Sequence, residues 1–298
     1  MKSTDGRPRP LGRLTPNMYV ETGTRGCDPS FVVTSDGVVV IDTPQLPTHA
    51  LAMRQQAESH GPVRYIVNTE HHVDHIFGNY FFAGAGLVVH HQGVFDNFMT
   101  VYELDPFAFA VTAAEHDDPE GVHLIPERAE YYRDPNKGDI VFTGNLTLRL
   151  GEHTFELIHT PGHTPGQIAV HVPEERTVFT GDTIFSGCQT WLMNSDVDQW
   201  LRSLDLIATL DVDHVVPGHG AITTLAAVRE QRAVLLGWKS AVADAVAKGW
   251  SREETIQRVT FADVCRTDVG LDHLMGFIQA ENAGALYDSI TGPGGATC

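Results

Sequence analysis

The sequence has few cysteines and no long hydrophobic run, and each shortage excludes a class of protein. The four cysteines lie far apart and include no CxxC pair, which argues against a disulfide framework and a thiolate metal site. No stretch approaches the roughly 20 apolar residues of a membrane-spanning helix. The N-terminal segment has no apolar run after its charges, so we predict no secretory signal and expect a cytoplasmic location. Buried or unreactive thiols are expected at Cys27, Cys188, Cys265 and Cys298.

Basic residues are also scarce. The chain has 20 Lys and Arg against 38 Asp and Glu, which gives a formal net charge of −18. A surface of this sign repels phosphate backbones and anionic membranes, because binding to either requires clustered cations. We therefore expect a small-molecule substrate, and neither a nucleic acid nor a membrane as partner.

The spacing of apolar residues predicts an α/β domain followed by helices. Strand-like and helix-like segments alternate first, and β-hairpins follow a long acidic connection. Later, Ser251 and Glu254 form a capping box that begins a helix. Apolar positions such as Leu235 and Val242 need cover from the domain itself or from a second copy, and we expect a homodimer through these helices. The predicted boundaries are 1–16 for a flexible arm, 17–220 for the catalytic domain with an insertion at 103–137, 221–289 for a helical extension and 290–298 for a flexible tail.

The segment Asn68-Thr-Glu-His-His-Val-Asp-His75 carries the densest set of metal-binding residue types. It follows the apolar strand RYIVNT, and alternate residues of an extended segment face the same way. Glu70, His72 and Asp74 are therefore expected to converge, with His75 on the following turn. Carboxylates and imidazoles are ligands of divalent ions. His71 is expected to point to the opposite face and to support the site from behind.

Three later motifs each place one such side chain at the end of a strand. His163 lies in Thr-Pro-Gly-His-Thr-Pro-Gly, Asp182 in Gly-Asp-Thr and His219 in Pro-Gly-His-Gly. A histidine or aspartate beside glycine usually only forms a turn. Three such turns in order behind the first cluster indicate a shared site.

Taken in order, these motifs resemble those of the metallo-β-lactamase superfamily over residues 17–220. That family has HxHxDH, then a histidine in TPGHTxG, an aspartate in GD and a histidine in PGH. The resemblance implies a four-layer αββα sandwich with two divalent metal ions at one edge of its two sheets. One ion would be held by Glu70, His72 and His163, the other by Asp74, His75 and His219, with Asp182 bridging them and Asp42 buttressing the first motif.

The sequence departs from the family pattern at Glu70, where the family has a histidine. A carboxylate still binds metal, but it is harder and anionic and so favours manganese or iron more than imidazole does. The expected cofactors are two divalent ions, with Zn²⁺ as the first expectation and Mn²⁺ or Fe²⁺ as alternatives.

The resemblance implies a metal-dependent hydrolase that uses a metal-activated hydroxide, with Asp74 orienting the nucleophile or carrying its proton. Aromatic residues in the insertion and after Asp182 favour a small, apolar or aromatic substrate such as an ester, lactone, amide, thioester or activated aryl halide. The same aromatics are also typical of simple packing. The predicted pocket residues are Phe95, Phe98, Phe107, Trp191, Met193 and Trp200.

Other functions remain open at this point. A non-haem di-iron oxygenase or oxygen reductase on the same fold is the main alternative, because mixed carboxylate and histidine sites suit iron. A β-lactamase is less favoured, since those enzymes are exported and usually lack a long helical C-terminal extension. A non-catalytic binding protein is disfavoured by the nearly complete ligand set.

Overall fold

The computed structural model describes residues 8–23, 25–100, 105–132, 138–193, 195–261 and 275–292. Two β-sheets lie face to face in these residues, and helices cover the outer face of each. Among the described strands, every strand of the first sheet precedes every strand of the second sheet in the sequence. The predicted α/β fold with four αββα layers and C-terminal helices is confirmed.

The first sheet has seven strands in sequence order. Its first four strands are antiparallel to one another in turn, and the fourth to seventh strands pair in parallel. Parallel neighbours end at the same edge, so the loops that follow them meet there. The strands are β1 (Gly12–Arg13), β2 (Met18–Val20), β3 (Ser30–Thr34), β4 (Gly37–Ile41), β5 (Val63–Val67), β6 (Leu87–His91) and β7 (Ile140–Phe142).

The second sheet has five strands, and a two-stranded sheet lies beside the site described below. The antiparallel hairpins of the second sheet agree with the hairpins predicted from the sequence. Its strands, from one edge to the other, are β13 (His214–Val216), β11 (Thr177–Phe179), β10 (Ile168–Val172), β9 (His153–His159) and β8 (Leu146–Leu150). The small sheet pairs β12 (Phe185–Ser186) with β14 (His219–Gly220).

Helices lie on both outer faces and between strands. The capping box at Ser251 is present, because its hydroxyl accepts from Glu254 N–H and the Glu254 carboxylate accepts from Ser251 N–H. The α-helices are α1 (Pro47–His60), α2 (Val73–Ile76), α3 (Gln92–Asn97), α4 (Pro106–Asp117), α5 (Arg128–Tyr131), α6 (Val197–Ile207), α7 (Ala226–Ala247), α8 (Arg252–Arg258) and α9 (Met275–Thr291). Single 3₁₀ segments occur at Phe77–Phe82, Val122–Leu124, Pro173–Glu175 and Gly181–Thr183.

Three apolar clusters separate the four layers. One joins the inner faces of both sheets, with Val39 and Val67 from the first and Leu157 and Val170 from the second. A second packs the first sheet against α1 and α4. The third packs the second sheet against α6, α7 and α9. Burial of these aliphatic side chains, at roughly 25 cal/mol per Å² of apolar surface, holds the layers together.

Some predicted boundaries differ from the structure. The predicted flexible arm includes β1, and Leu11 is buried while its N–H donates to Gln56 Oε1 at 2.7 Å. The insertion at 103–137 contains α4, whose Asp105 carboxylate caps the first turn. Cys27 and Cys188 are buried, as expected, and form no disulfide with the described residues, whereas Cys265 and Cys298 lie outside the described residues.

The chain's own core covers some of the apolar positions of α7, whereas Leu236 is 46% exposed. Leu235 and Val242 are fully buried in the third cluster. These two residues therefore do not by themselves require a second copy of the chain, and the homodimer stays a prediction. Among the described residues, none of the helices is both long and apolar enough to cross a membrane.

Candidate metal centre

The first motif lies where β5 ends and α2 begins. Glu70 follows the strand, and His72 is the residue before the helix, with φ −63° and ψ 146°. Asp74 and His75 are in the first turn of α2, so the expected extended segment ends at His72. A carboxylate is favoured in a first helical turn, because free N–H groups concentrate positive charge there. Helical geometry, and not strand alternation, therefore turns Asp74 toward the site.

The later motifs lie in tight turns at the same end of the second sheet. His163 follows β9, Asp182 follows β11 in a 3₁₀ turn, and His219 begins β14. Gly162 has φ 147°, and a Cβ there would lie 2.3 Å from the Cα of Trp200. Only glycine fits that close approach, which fixes the turn that carries His163.

One group of donor atoms lies around Glu70. Its Oε2 is 2.9 Å from His72 Nδ1, and its Oε1 is 3.5 Å from His163 Nε2. The two histidines are adjacent, with His163 Nε2 3.1 Å from His72 Nδ1. One donor atom from each member lies within 4.8 Å of the others, a spacing that a single cation spans. The members are Glu70, His72, His163 and Asp182.

A second group adjoins the first. Nε2 of His219 lies 3.2 Å from Oδ2 of Asp74. Nε2 of His75 lies 3.9 Å from that same Asp74 oxygen. These three residues also offer donor atoms within 4.8 Å of one another.

Asp182 stands between the two groups. Its Oδ1 is 3.3 Å from Nε2 of His75 and 3.3 Å from Nε2 of His219. Its Oδ2 is 3.4 Å from Nε2 of His163. The two oxygens of one carboxylate therefore face different groups, which is the arrangement a bridging ligand requires.

Hydrogen bonds behind the cluster orient two of its histidines. Nδ1 of His75 is 2.9 Å from Oδ2 of Asp42, and Nδ1 of His163 is 3.1 Å from the Trp191 carbonyl oxygen. A carboxylate and a carbonyl only accept, so both Nδ1 atoms carry a proton and both Nε2 atoms face the cluster. Asp42 also accepts from the Thr69 N–H and hydroxyl, and it has a left-handed φ of 54°. This buried carboxylate therefore buttresses His75, and the residue accepts an unfavourable backbone conformation there.

The charges of the cluster strongly affect its pKa values. Burial raises the pKa of Asp182, but the opposite effect of His219 and His75 is larger, so the pKa lies well below the usual value. Burial lowers the pKa of His75, but Asp182, Asp42 and Asp74 raise it well above the usual value. The ionised carboxylates thus stabilise the protonated imidazoles, and the protonated imidazoles stabilise the ionised carboxylates. A divalent cation supplies that charge in place of the protons.

The donor set fits a metal ion. Oε1 of Glu70, Nε2 of His75 and Oδ1 of Asp182 are buried and form no hydrogen bond with the described residues. An unsatisfied buried polar atom is costly, and cation coordination would remove that cost. Carboxylate oxygens and imidazole nitrogens are also the ligands that zinc, manganese and iron take.

The cluster forms one wall of a cavity. Trp191 and Met193 line this cavity, as predicted, and His71 lines it too. His71 lies beside His72 with ring centroids 4.9 Å apart, so it faces the same side as the cluster rather than the opposite one. Burial, and then the neighbouring histidines His72, His163 and His75, lower its pKa to about 2. His71 belongs to neither of the two groups of donor atoms.

Four predicted pocket residues do not line the cavity. Phe107 is buried in the first apolar cluster, and Phe98 packs against that cluster. Trp200 is fully buried beneath His163, with ring centroids 5.0 Å apart, and its Nε1 donates to the Thr183 carbonyl. Phe95 is 41% exposed on the surface. These aromatics therefore pack the fold, the alternative that the sequence left open.

Other side chains, outside the predicted pocket set, form the apolar wall. Met99, Pro106, Phe109, Cys188 and Ile278 line the cavity. They come from four separate parts of the chain, and no sequence motif links them. Among the described lining residues the only Lys or Arg is Arg25, and its guanidinium is paired with Asp117.

Comparisons with known proteins agree with this geometry. A sequence model of the metallo-beta-lactamase superfamily matches residues 22–219. A hydroxyacylglutathione hydrolase of Maricaulis maris is 27% identical over 178 residues, which cover 59% of this chain and 54% of the relative. An acyl-coenzyme A thioesterase of Gallus gallus is 32% identical over 77 residues, which cover 24% of this chain and 28% of that protein. The chain therefore spans less than two thirds of the length of these curated relatives.

A solved structure shares the fold. The inverting sec-alkylsulfatase from Pseudomonas sp. superposes with a TM-score of 0.68 at 15% identity, covering 97% of this chain and 51% of that one. The superfamily binds divalent metals, and the donor cluster lies inside the matched span. Because the matched span covers most of the chain, this protein belongs to the metallo-beta-lactamase superfamily.

Proposed function

We propose that this protein is a dinuclear metal-dependent hydrolase of small, uncharged acyl compounds with an apolar group: esters, lactones or thioesters. One observation carries the proposal. Two groups of donor side chains lie on either side of Asp182, whose two oxygens face different groups, and members of both groups line a cavity whose remaining lining is largely apolar. Such a cavity binds an apolar group beside a polar reaction centre.

The chain offers one complete set of ligands for each ion. Glu70, His72 and His163 would hold the first ion, and Asp182 would be shared. The second ion would be held by the remaining set, Asp74, His75 and His219. When bound, two divalent cations supply Lewis acidity and bring the pKa of water toward neutrality. We propose Zn²⁺ as the native ion, with Mn²⁺ and Fe²⁺ as the alternatives to test.

Asp74 is proposed to orient the attacking water or to carry its proton. It lines the cavity, and its side chain is 18% exposed, unlike the fully buried Glu70. Burial raises the pKa of Asp74, but the opposite effect of His75 and His219 is larger and brings this pKa to about 2. Asp74 is therefore ionised at neutral pH and accepts a proton or a hydrogen bond from the attacking water.

The charges around the cavity favour an uncharged substrate. Arg25 is neutralised by Asp117, and the chain carries a net charge of −18. A polyanionic substrate would meet repulsion here, because its binding needs free cationic side chains. The thioesterase relative supports a thioester bond as one member of the substrate class, in a compound without the phosphate charges of coenzyme A.

Elemental analysis of purified protein combined with a substrate panel tests the proposal. The panel contains an aryl ester, a lactone, a thioester, an amide, a β-lactam and an activated aryl halide. We expect two zinc or manganese ions per chain and hydrolysis of the ester, lactone or thioester. Iron with an oxygen-dependent spectral change would instead support the oxygenase alternative.

A pair of histidine variants provides the matched control. His72→Ala removes a donor, so we expect loss of metal and of hydrolysis while the fold is retained. His123 is exposed and lies outside the cluster, so His123→Ala should retain both properties. Full activity of metal-free His72→Ala protein would refute the proposed function.

A further inference from the structure

A chain of hydrogen bonds connects helix α9 to the candidate ligand His163. Asn282 lies on α9 and is fully buried. Its Oδ1 accepts from the Leu192 N–H at 2.7 Å, and its Nδ2 donates to the Thr190 carbonyl at 2.8 Å. The Trp191 carbonyl, which belongs to the same peptide group as the Leu192 N–H, accepts from His163 Nδ1 at 3.1 Å. One peptide group therefore stands between Asn282 and His163.

The direction of each hydrogen bond is fixed by its atoms. The Leu192 N–H only donates, so the amide oxygen of Asn282 must face it. The Trp191 carbonyl only accepts, so Nδ1 of His163 must carry the proton. Hydrogen bonds in such a chain polarise one another. When the Leu192 N–H donates to Asn282, the Trp191 carbonyl of the same peptide group becomes a stronger acceptor.

We propose that Asn282 is a positioning residue of the metal centre. It fixes and polarises the Trp191–Leu192 peptide group, and that group sets the tautomer and ring orientation of His163. Nε2 of His163 then faces Glu70 Oε1 at 3.5 Å and Asp182 Oδ2 at 3.4 Å. The inference rests on the proposed function, because it takes His163 to be a metal ligand. Groups that orient a ligand in this way affect metal affinity although they never touch the metal.

A second carboxamide on α9 separates positioning from simple anchoring. Gln279 is buried, and its Nε2 donates to Gln189 Oε1 at 3.1 Å, while its Oε1 accepts from the Phe261 N–H at 2.6 Å. Gln279 thus holds the same segment through the Gln189 side chain, whose Nε2 donates to the Thr190 carbonyl at 3.0 Å, and not through the Trp191–Leu192 peptide group that contacts His163. If α9 only anchors the segment, the two carboxamides should matter equally.

The helix that carries Asn282 lies outside the span matched by the superfamily. The match ends at residue 219, whereas α9 spans Met275–Thr291. α9 also contributes Ile278 to the cavity wall. The C-terminal extension is therefore part of the site on this proposal, and not only a cover for the second sheet.

Zinc affinity and imidazole NMR of three full-length variants test the inference. Zinc binding is measured by competition with a chromophoric chelator, and the Nδ1–H of His163 is followed by ¹H–¹⁵N NMR. We expect Asn282→Leu to weaken binding of one of the two ions about ten-fold and to shift or broaden the His163 Nδ1–H signal. Gln279→Leu should leave zinc affinity and the signal unchanged. Asn282→Asp should restore binding, because its carboxyl oxygen still accepts from the Leu192 N–H.

Each other result counts against the inference. Unchanged zinc affinity in Asn282→Leu would overturn it, and so would an equal loss in Gln279→Leu, which would indicate loop anchoring alone. If Asn282→Leu does not fold, Asn282→Ala also removes the acceptor and carries the same expectation. Wild-type protein that binds no zinc and hydrolyses no acyl substrate would refute the proposed function itself. Active, zinc-binding wild type with unaffected Asn282 variants would refute only the inference.

Discussion

At the scale of single residues, Asp182 differs from the other candidate ligands because its two oxygens face both donor groups. We expect Asp182→Ala to bind less than one metal ion per chain and His219→Ala to retain one ion. Both variants should lose at least about 100-fold in kcat/KM, since each removes a direct ligand. Elemental analysis after dialysis measures the stoichiometry, and His123→Ala serves as control. Two retained ions in Asp182→Ala would contradict the bridging role.

Glu21 gives a prediction about pH that is independent of the ligands. Burial raises its pKa from 4.5 to about 7, although Arg9 lowers the pKa somewhat. Between pH 4.5 and 7, the Glu21 carboxyl group is therefore protonated in the folded state and ionised in the unfolded state. Stability from this group is complete below pH 4.5 and falls as the pH rises through that window.

Glu21→Gln removes this loss of stability. We expect the variant to gain up to about 3 kcal/mol of unfolding free energy at pH 8 and almost nothing at pH 4.5. Urea unfolding of chelator-treated protein at the two pH values measures the difference. Glu120→Gln, at an exposed carboxylate, should change stability equally at both pH values. An equal gain for Glu21→Gln at both pH values would rule out the proposed titration.

At the scale of elements, α4 forms part of the cavity wall through Pro106 and Phe109. Its C-terminal end is held by Asp118, whose buried carboxylate accepts from the N–H and the hydroxyl of Thr48, each at 2.8 Å. Thr48 is in the first turn of α1, so one carboxylate caps α1 and anchors α4. This link fixes the insertion relative to the first sheet.

Asp118→Ala should loosen the cavity wall without changing the metal centre. The loss of a buried cap costs about 1–2 kcal/mol of stability. We expect a several-fold rise in KM for an apolar aryl ester, faster hydrogen exchange in α4 and unchanged metal content. Glu115→Ala, at an exposed position of the same helix, is the control. A fall in kcat at unchanged KM would argue against this role for α4.

At the scale of the whole molecule, the donor cluster joins the two sheets. Glu70, Asp74 and His75 follow a strand of the first sheet, whereas His163 and Asp182 follow strands of the second. A bound ion would therefore add a cross-link between elements that also meet through apolar packing and through hydrogen bonds such as that from the Asp28 N–H to the Gly218 carbonyl. Metal removal should destabilise the entire sandwich and not only a loop.

We expect the thermal unfolding midpoint to rise with zinc concentration and to fall on chelation. Free metal at about 100 times its Kd adds about 2.7 kcal/mol per site. Differential scanning calorimetry with and without chelator measures the shift. His72→Ala should respond less than wild type, because one set of ligands is incomplete. A midpoint that does not depend on zinc would contradict the cross-link.

Local sequence accounts for much of the fold and for the donor set. The hairpins of the second sheet and the capping box at Ser251 follow from neighbouring residues. The candidate donors could be named in advance, because each lies in a short motif at a strand end. The sequence predicts Asp74 in this cluster through the alternation of an extended segment. In the structure, Asp74 reaches the cluster from the first turn of α2.

The cavity walls could not be predicted in this way. Phe107 and Trp200 are aromatic like Trp191, yet they pack the interior while Trp191 lines the cavity. Composition does not distinguish these outcomes, because both bury apolar surface. Which side of each aromatic meets the cavity depends on how distant elements pack.

The sequence by itself determined the chemistry of the donors and the order in which the chain presents them, because turns and residue types act over a few neighbouring positions. Only the tertiary structure decided that Asp182 stands between two groups, that His71 faces the cavity and that Asn282 reaches His163 through one peptide. Those relations join residues far apart in the chain. They depend on the packing of two sheets and a C-terminal helix, which no local pattern encodes.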